Sequence, residues 1–376
     1  MKIIIFADKS YNFIRPLADG LHHTLIEMGH DSQIWYDGIY WLQQEKLWRV
    51  FLKDLYRILM NLYHLEYLYI LRFWNLFTFF NSRRKKALKD CDFVVVVKNC
   101  PAIFSVHERM DYIRKTFEKP VVNYDFHYMP NQAWWGRILK RPRHRGLEQF
   151  DWYLPVGLVT EFAIPTEIPQ IYNCIGMDVN SIELQPDQKD FLVLFDFPRK
   201  GHEQQRSNEK ELLESEGINY IELKGRYTRK KIRSIYRRTS VYIVSSRESF
   251  GLPIIELQLC GAKVLVPHKE WVPAHYLDKS PFKNGIGNLG SNFLVYRNND
   301  ELISILNQLR KSINYEQNIL SFRREYPFYN YINKKELEAF LNKIKDGQIN
   351  ANSHLEYEQY NKYISSTQDY ELSDII

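Results

Sequence analysis

The stretch Ser240–Gly261, SVYIVSSRESFGLPIIELQLCG, changes character at its middle. SVYIVSS is a short apolar run rich in β-branched residues, the pattern of a buried strand. Pro253 stands where a helix should begin and Gly261 where it should stop, the positions each residue favours at a helix end. The segment therefore reads strand, loop, helix. Glu248, Ser249, Phe250, Gly251 and Leu252 form the loop and helix entrance, and Glu256 falls about one turn later. The amides of Phe250, Gly251 and Leu252 lie where unpaired donors and the positive end of a helix dipole favour a diphosphate, and Gly251 permits close backbone approach. Glu256 can accept hydrogen bonds from two neighbouring hydroxyls, while Glu248 precedes the turn and faces the other end of a ligand. Two carboxylates around such a turn suit a sugar nucleotide. A surface Glu and a helix Glu could stand this far apart by chance; the whole nine-residue run is the stronger signal.

SSRESFGLPIIELQLCGAKVLVP resembles the nucleotide-sugar site of retaining GT-B glycosyltransferases, the large GT4-like family whose members carry two Glu separated by seven residues. The resemblance extends outward. ELKGRYTRKKIRSIYRRTSVYIV is similar to the family's preceding strand, Gly turn (here Gly225) and helix, and FLVLFDFPRKGHE to the first strand and Lys-Gly turn of its nucleotide-binding domain. A basic residue of that turn grips the diphosphate in the family, and Lys200 matches it. The Arg that relatives carry about five positions earlier is Phe195 here; Arg199 or Arg206 could supply the charge. PQIYNCIGMD resembles the Gly-x-Asp turn before the interdomain linker, at Gly176, Met177 and Asp178. The Gly pair that relatives often place in the first loop is missing from ADKSYNFIRP, where Lys9, Ser10 and Arg15 are the polar candidates.

Composition is compatible with this. A chain of 376 residues with 45% hydrophobic content is long enough for two or three domains, each with its own core. Cys91, Cys100, Cys174 and Cys260 lack CxxC spacing and read as buried free thiols of a reducing compartment. MKIIIFADKS turns polar after one short strand, and no uncharged run approaches the length of a membrane span. The expectation is a cytoplasmic protein, soluble or peripheral on the inner face of the membrane.

The opening KIIIF, the helical spacing of PLADGLHHTLIEMGH and the strand DSQIWY form a βαβ start, which predicts a parallel Rossmann-like sheet covered by helices on both faces. Residues 41–90 carry ten cations against four acids, with aromatic clusters and, from 39 to 80, neither Pro nor a further Gly. One or two long helices inserted at about 39–90 are expected. Their apolar face suits either core packing or, at WNLFTFFNSRRKK, an anionic membrane surface. CDFVVVVKNC and KPVVNYDFHY are further strands; Asp90 and Asp92 precede the first of them, unlike a metal-binding DxD, whose acids follow a strand. His127, at a strand's carboxyl end, occupies the position where the resemblance implies a His beside the transferred sugar; Asp125 either orients it or caps the turn. The basic run RILKRPRHRG, residues 137–146, is a solvated loop or an attractor of an anionic acceptor.

The resemblance implies an α/β chain with a GT-B fold: two Rossmann-like domains facing across a cleft, with a C-terminal helix crossing back to the first. The expected divisions are an acceptor domain over 1–180, a nucleotide-sugar domain over 181–322, a crossover helix over 323–346 and an acidic, flexible tail over 347–376. The implied activity is transfer of a hexose from a nucleoside-diphosphate sugar to a glycan or lipid-linked acceptor with retention of configuration. No metal and no cofactor are implied, since the sugar nucleotide is itself the donor substrate. Lys200 and the amides after Ser249 would stabilise the departing diphosphate, Glu248 would position the sugar, Glu256 the ribose, and His127 would complete the catalytic set. An inactive sugar-nucleotide-binding relative keeps the same pattern, and Phe195 keeps that alternative open. A nicotinamide oxidoreductase would require GxGxxG after the first strand, which is missing. A nucleic-acid partner is not expected, because no helix-turn-helix, RNP-like or zinc pattern accompanies the basic stretches.

Overall fold

The structure is a computed structural model and describes the chain apart from residues 8–13, 37–81, 99–104, 133–134, 141–144, 159–161, 163, 180–183, 185, 188–189, 226, 245–247, 249, 269–271, 278–287 and 369–376. The chain forms two compact units. The first comprises Met1–Val156, Ile164–Ser181 and Ile332–Ile376; the second comprises Gly157–Ala163 and Ile182–Tyr331.

In the first unit, β1 (Lys2–Phe6), β2 (Asp31–Trp35), β3 (Phe93–Val97), β4 (Val121–His127) and β5 (Trp152–Gly157) lie in the order β2-β1-β3-β4-β5. β1 pairs in parallel with both β2 and β3, and β3 with β4. The reason is legible in β3: FVVVV is buried at every position, as a strand covered on both faces requires. Helix α1 (Ile14–Glu27) supplies the first crossover and buries Leu17, Leu21 and Leu25 on one face. α2 (Ser82–Asp90) precedes β3, and α3 (Ser105–Phe117) joins β3 to β4.

The second unit repeats the plan. β6 (Val193–Phe195), β7 (Tyr220–Glu222), β8 (Val241–Ile243), β9 (Lys263–Pro267) and β10 (Phe293–Tyr296) lie in the order β10-β9-β8-β6-β7, all paired in parallel. Its core gathers Val193, Phe195, Val241, Ile243 and Leu265 from the strands with Leu302, Leu306 and Leu309 from the helix Asn299–Ser312. Both orders are those of doubly wound sheets, so the chain has the two Rossmann-like domains expected of a GT-B fold. In each sheet the connections leave one strand toward opposite sides. In the second this happens at β6, between β7 and β8.

The chain returns to the first unit at Ile332. The sequence suggested one crossover helix over 323–346; Tyr315–Glu325 ends before Pro327, a 3-10 turn follows, and α4 (Lys334–Lys345) starts afresh from Asn333, whose side chain accepts from the Glu336 amide. Proline cannot donate to the preceding turn, which explains the break. The tail also departs from expectation. Residues 347–368 are folded, with Ile349 and Ile364 buried and Tyr357 nearly so. The Nδ1 and backbone amide of His354 both reach Asp151 Oδ1, at 2.6 and 3.1 Å, and Asn361 Oδ1 accepts from the Leu147 amide. A few polar anchors and isolated apolar residues hold this segment, a pattern that composition does not reveal.

The inserted stretch lies mostly outside the described residues, and the expectation of a lipid-facing helix falls there. Its end is described: Arg84 of α2 sits over the Trp35 ring, 5.3 Å from its centroid. Among the described residues no helix is long and apolar enough to cross a membrane. Cys91 and Cys260 are buried, and burial pushes both thiols up to about 12.

Candidate functional site

The loops leaving the carboxyl ends of β6 and β8 flank the point where the second sheet's connections diverge, the place where open α/β sheets receive ligands. The β6 loop carries Asp196, then Arg199 and Lys200, both exposed, at a turn completed by Gly201. The β8 loop carries Glu248, Phe250 and Gly251; Ser249 lies outside the described residues. Arg199 Nη2 stands 3.6 Å from Glu248 Oε2, so the two loops meet. Gly225, in the loop after β7, has φ +71°. The sheet thus brings the second-domain candidates to one edge.

Gly251 is fixed by two constraints. Its φ is +64°, and a Cβ there would lie 2.7 Å from Ile254 Cδ1 and 2.8 Å from Glu248 Cγ. Only glycine meets both without displacing its neighbours. It caps α5 (Leu252–Leu259), with Pro253 in the first turn. At the other end the Gly261 amide bonds Gln258 O and the Ala262 amide bonds Leu257 O, at 2.9 and 3.0 Å, the paired closure that a positive-φ glycine allows. Both punctuation marks of the sequence thus function as read.

Burial pushes the Glu248 carboxyl above its ordinary range; Arg199 opposes this, nearby Asp196 adds to it, and the Phe250 and Gly251 amides, donating to the carboxylate, oppose it. Two of the three amides assigned to a diphosphate therefore face this carboxylate. Glu256 is buried on α5, and its pKa is raised by that burial against the pull of Arg233. Arg233 Nη2 donates to Glu256 Oε1 at 3.0 Å. Arg233 belongs to the helix Arg229–Arg238, whose other cations conceal it in the sequence. Nothing in the one-dimensional pattern marks it as the partner of Glu256.

Arg206 is not available to this edge. It is 3% exposed, its Nε donates to Glu222 Oε1 at 2.6 Å, its Nη2 donates to the Asp196 carbonyl, and its guanidinium lies 5.4 Å from the Phe195 ring centroid. Of the two arginines offered for the clamp, Arg199 is the one beside Glu248. Arg206 is a structural cation, held where the departure to Phe195 gives it an aromatic neighbour.

A further residue escaped the sequence reading. His275 is fully buried, and its Nε2 lies 2.7 Å from the Phe250 carbonyl oxygen. A carbonyl only accepts, so Nε2 carries the proton. Burial lowers its pKa to about 4, the Phe250 contact opposing. A lone His in VPAHY offered no signal.

In the first unit, His127 closes β4 and is buried. The neighbouring Asp125 carboxylate, within the same strand, accepts from the Phe126 amide at 2.6 Å, and burial raises its pKa while Lys98 opposes. Lys98 follows β3 with φ +40°, its ammonium 4.8 Å from the Phe126 ring centroid. Within the basic run, Arg145 makes a two-pronged bond to Asp111, at 2.9 and 2.7 Å; residues 141–144 are outside the described set. Asp92 accepts from the Lys2 amide at 2.7 Å, a strand-start role. Among the described residues no group of three or more His, Cys, Asp or Glu is arranged to hold a metal ion.

No protein-family model matches the sequence, and no curated protein matches it. Among solved structures the chain is similar to an alpha-glucosyltransferase in complex with UDP, at 13% identity and a TM-score of 0.48, over 92% of this chain and 100% of that one. It is also similar to the apo form of the lipopolysaccharide outer core galactosyltransferase WaaB, at 11% identity and a TM-score of 0.44, over 93% and 100% of the two chains. A third similar structure is HepE of Anabaena in complex with UDP and glucose, at 13% identity and a TM-score of 0.40, over 91% and 100%.

Proposed function

We propose that this protein is a glycosyltransferase that takes a hexose from a nucleoside-diphosphate sugar bound at the β6 and β8 edge of its second unit. The observation that carries the reading is the meeting of Arg199 and Glu248, 3.6 Å apart, at the divergence point of a doubly wound sheet and beside the Gly251 helix entrance. A cation, a carboxylate and a helix entrance at one such edge match the three parts of the donor: diphosphate, hydroxyls and, through Glu256, ribose.

In this account the diphosphate gains charge as the glycosidic bond breaks, and Lys200, Arg199 and the helix entrance stabilise it electrostatically. Those cations make a metal unnecessary for departure. Glu248 orients the sugar, and the first unit, in which His127 closes β4, takes the acceptor. Retention of configuration and a glycan or lipid-linked acceptor follow from the resemblance of the Glu248 to Glu256 run; the basic aromatic stretch 41–90 suits an acceptor at an anionic membrane. Donor binding without transfer is the second reading, favoured by Phe195, which is a core residue where relatives carry a cation.

Release of nucleoside diphosphate from a panel of sugar nucleotides tests the proposal. Turnover of at least one donor, lost in Lys200→Ala and Glu248→Ala, is expected. Binding of a donor with no release would favour the second reading, and neither binding nor release with any donor would refute both.

A further inference from the structure

His275 and Glu248 act on opposite sides of one peptide unit. The Phe250 carbonyl and the Gly251 N–H belong to the same planar group, and in a trans peptide they point in opposite directions. On the core side the carbonyl oxygen accepts from His275 Nε2 at 2.7 Å. On the other side the Gly251 amide faces the Glu248 carboxylate. Resting on the donor-site reading above, we infer that His275 is a positioning residue that holds the Phe250–Gly251 peptide in the orientation aiming the Gly251 N–H into the donor site.

The imidazole is built to hold its direction. It lies in an aromatic cage, with ring centroids of Phe293, Tyr329 and Tyr326 at 5.3, 5.4 and 5.7 Å. Its backbone is clamped too: the His275 amide donates to Val272 O at 2.8 Å, its carbonyl accepts from the Tyr326 hydroxyl at 2.6 Å, and the Ala274 carbonyl accepts from the Tyr329 hydroxyl. Tyr329 also packs edge-on against Phe250, 5.3 Å between centroids. A fixed donor is needed because glycine after the peptide leaves the plane free to turn over. The overturned peptide would present an oxygen, not an N–H, to the phosphate and to Glu248. Overturning would also leave the His275 Nε2–H without its acceptor in this aromatic cage.

The test compares His275→Phe, which keeps an aromatic ring and removes the donor, with His275→Gln, which retains an N–H. Calorimetric titration with ADP, GDP and UDP is made on each variant and on the wild type, with thermal unfolding recorded alongside. His275→Phe is expected to lose roughly tenfold in affinity for the diphosphate that the wild type binds, and His275→Gln to recover most of it. Wild-type affinity in a folded His275→Phe would overturn the inference and leave the donor site standing, whereas a wild type that binds none of the three would sink the donor-site reading itself. Should His275→Phe not fold, nitrogen-resolved NMR of the wild-type chain decides. A neutral Nε2–H tautomer and a Gly251 amide resonance displaced by the diphosphate are expected; an Nδ1–H tautomer, or a Gly251 resonance that stays in place, would overturn it.

Discussion

Arg199 and Glu248 meet at 3.6 Å although they leave different strands of the second sheet. Their pairing joins the diphosphate side of the candidate site to the sugar side. Because the Arg199 side chain is half exposed, the pair adds little to folding, and its consequence lies in ligand binding. Arg199→Ala is expected to weaken nucleoside-diphosphate affinity by roughly tenfold with unchanged unfolding behaviour. Arg206→Met should do the reverse: it takes a buried cation from the half-buried Glu222, which keeps Lys210 and Lys224, and from the Asp196 carbonyl, and costs on the order of 1–3 kcal/mol in denaturant unfolding. Unchanged stability with lost affinity in Arg206→Met would show that the two roles have been exchanged.

Glu256 and Arg233 form a largely buried pair, so the two obvious substitutions separate. Glu256→Ala leaves the Arg233 charge without its carboxylate and should lower both stability and affinity. Glu256→Gln keeps a hydrogen-bond acceptor and should lower mainly affinity. The raised pKa values of Glu248 and Glu256 set the pH dependence: as pH falls, these carboxylates protonate before ordinary ones do. Donor affinity measured across pH 4 to 8 should decline while free carboxylates are still ionised, that is, above about pH 4.3. An affinity that stays level to below that point contradicts the placement of either acid at the donor.

The neutral His275 makes a contribution to stability with a definite sign. Its folded pKa of about 4 lies below the ordinary histidine value of 6.5, so between these the unfolded chain binds the extra proton. The contribution is full above about 6.5, falls as the pH drops, and is lost by about pH 4. The span corresponds to about 3 kcal/mol. Urea unfolding of wild type and His275→Phe from pH 4 to 7 isolates it, since the variant lacks this slope. Parallel curves would show that the imidazole takes up its proton as readily in the folded chain as in the unfolded one.

The C-terminal segment should stabilise the first unit through Asp151. This fully buried carboxylate accepts from Arg114 Nε at 2.8 Å, the Val121 amide at 2.7 Å and His354 Nδ1 at 2.6 Å. Asp151→Ala leaves the buried Arg114 with Asp111, 3.3 Å away, as its remaining carboxylate and is expected to cost about 3 kcal/mol. Removing residues 347–376 takes away the His354 and Tyr357 bonds and should lower the melting temperature as well. A truncated chain as stable as the full one would mean that the tail rests on the unit without supporting it.

Much of the fold was legible because buried parallel strands announce themselves. KIIIF, FVVVV and SVYIVSS are apolar runs of strand length, and Pro253 and Gly261 mark the ends of one helix. The geometry of the loop was legible for a related reason, since Gly251 is demanded by a conformation and a close contact that other residues cannot meet. What sequence hid are side chains whose partners are distant along the chain. Arg206 looked equivalent to Arg199 until its burial against Phe195 and Glu222 was visible. Arg233 reaches Glu256 across 23 positions and His275 reaches Phe250 across 25. The tail was misread because its anchors are single polar residues, His354 and Asn361, and no apolar periodicity announces them.

A crystal structure of the protein with a nucleoside diphosphate that it releases is the most direct test of the central claim, that the β6 and β8 edge binds the donor. The account predicts both phosphates within hydrogen-bond distance of the helix entrance at Gly251 and Leu252 and of Arg199 or Lys200, with the ribose against Glu256. A nucleotide seated in the other unit, or in the second unit away from that entrance, would contradict it.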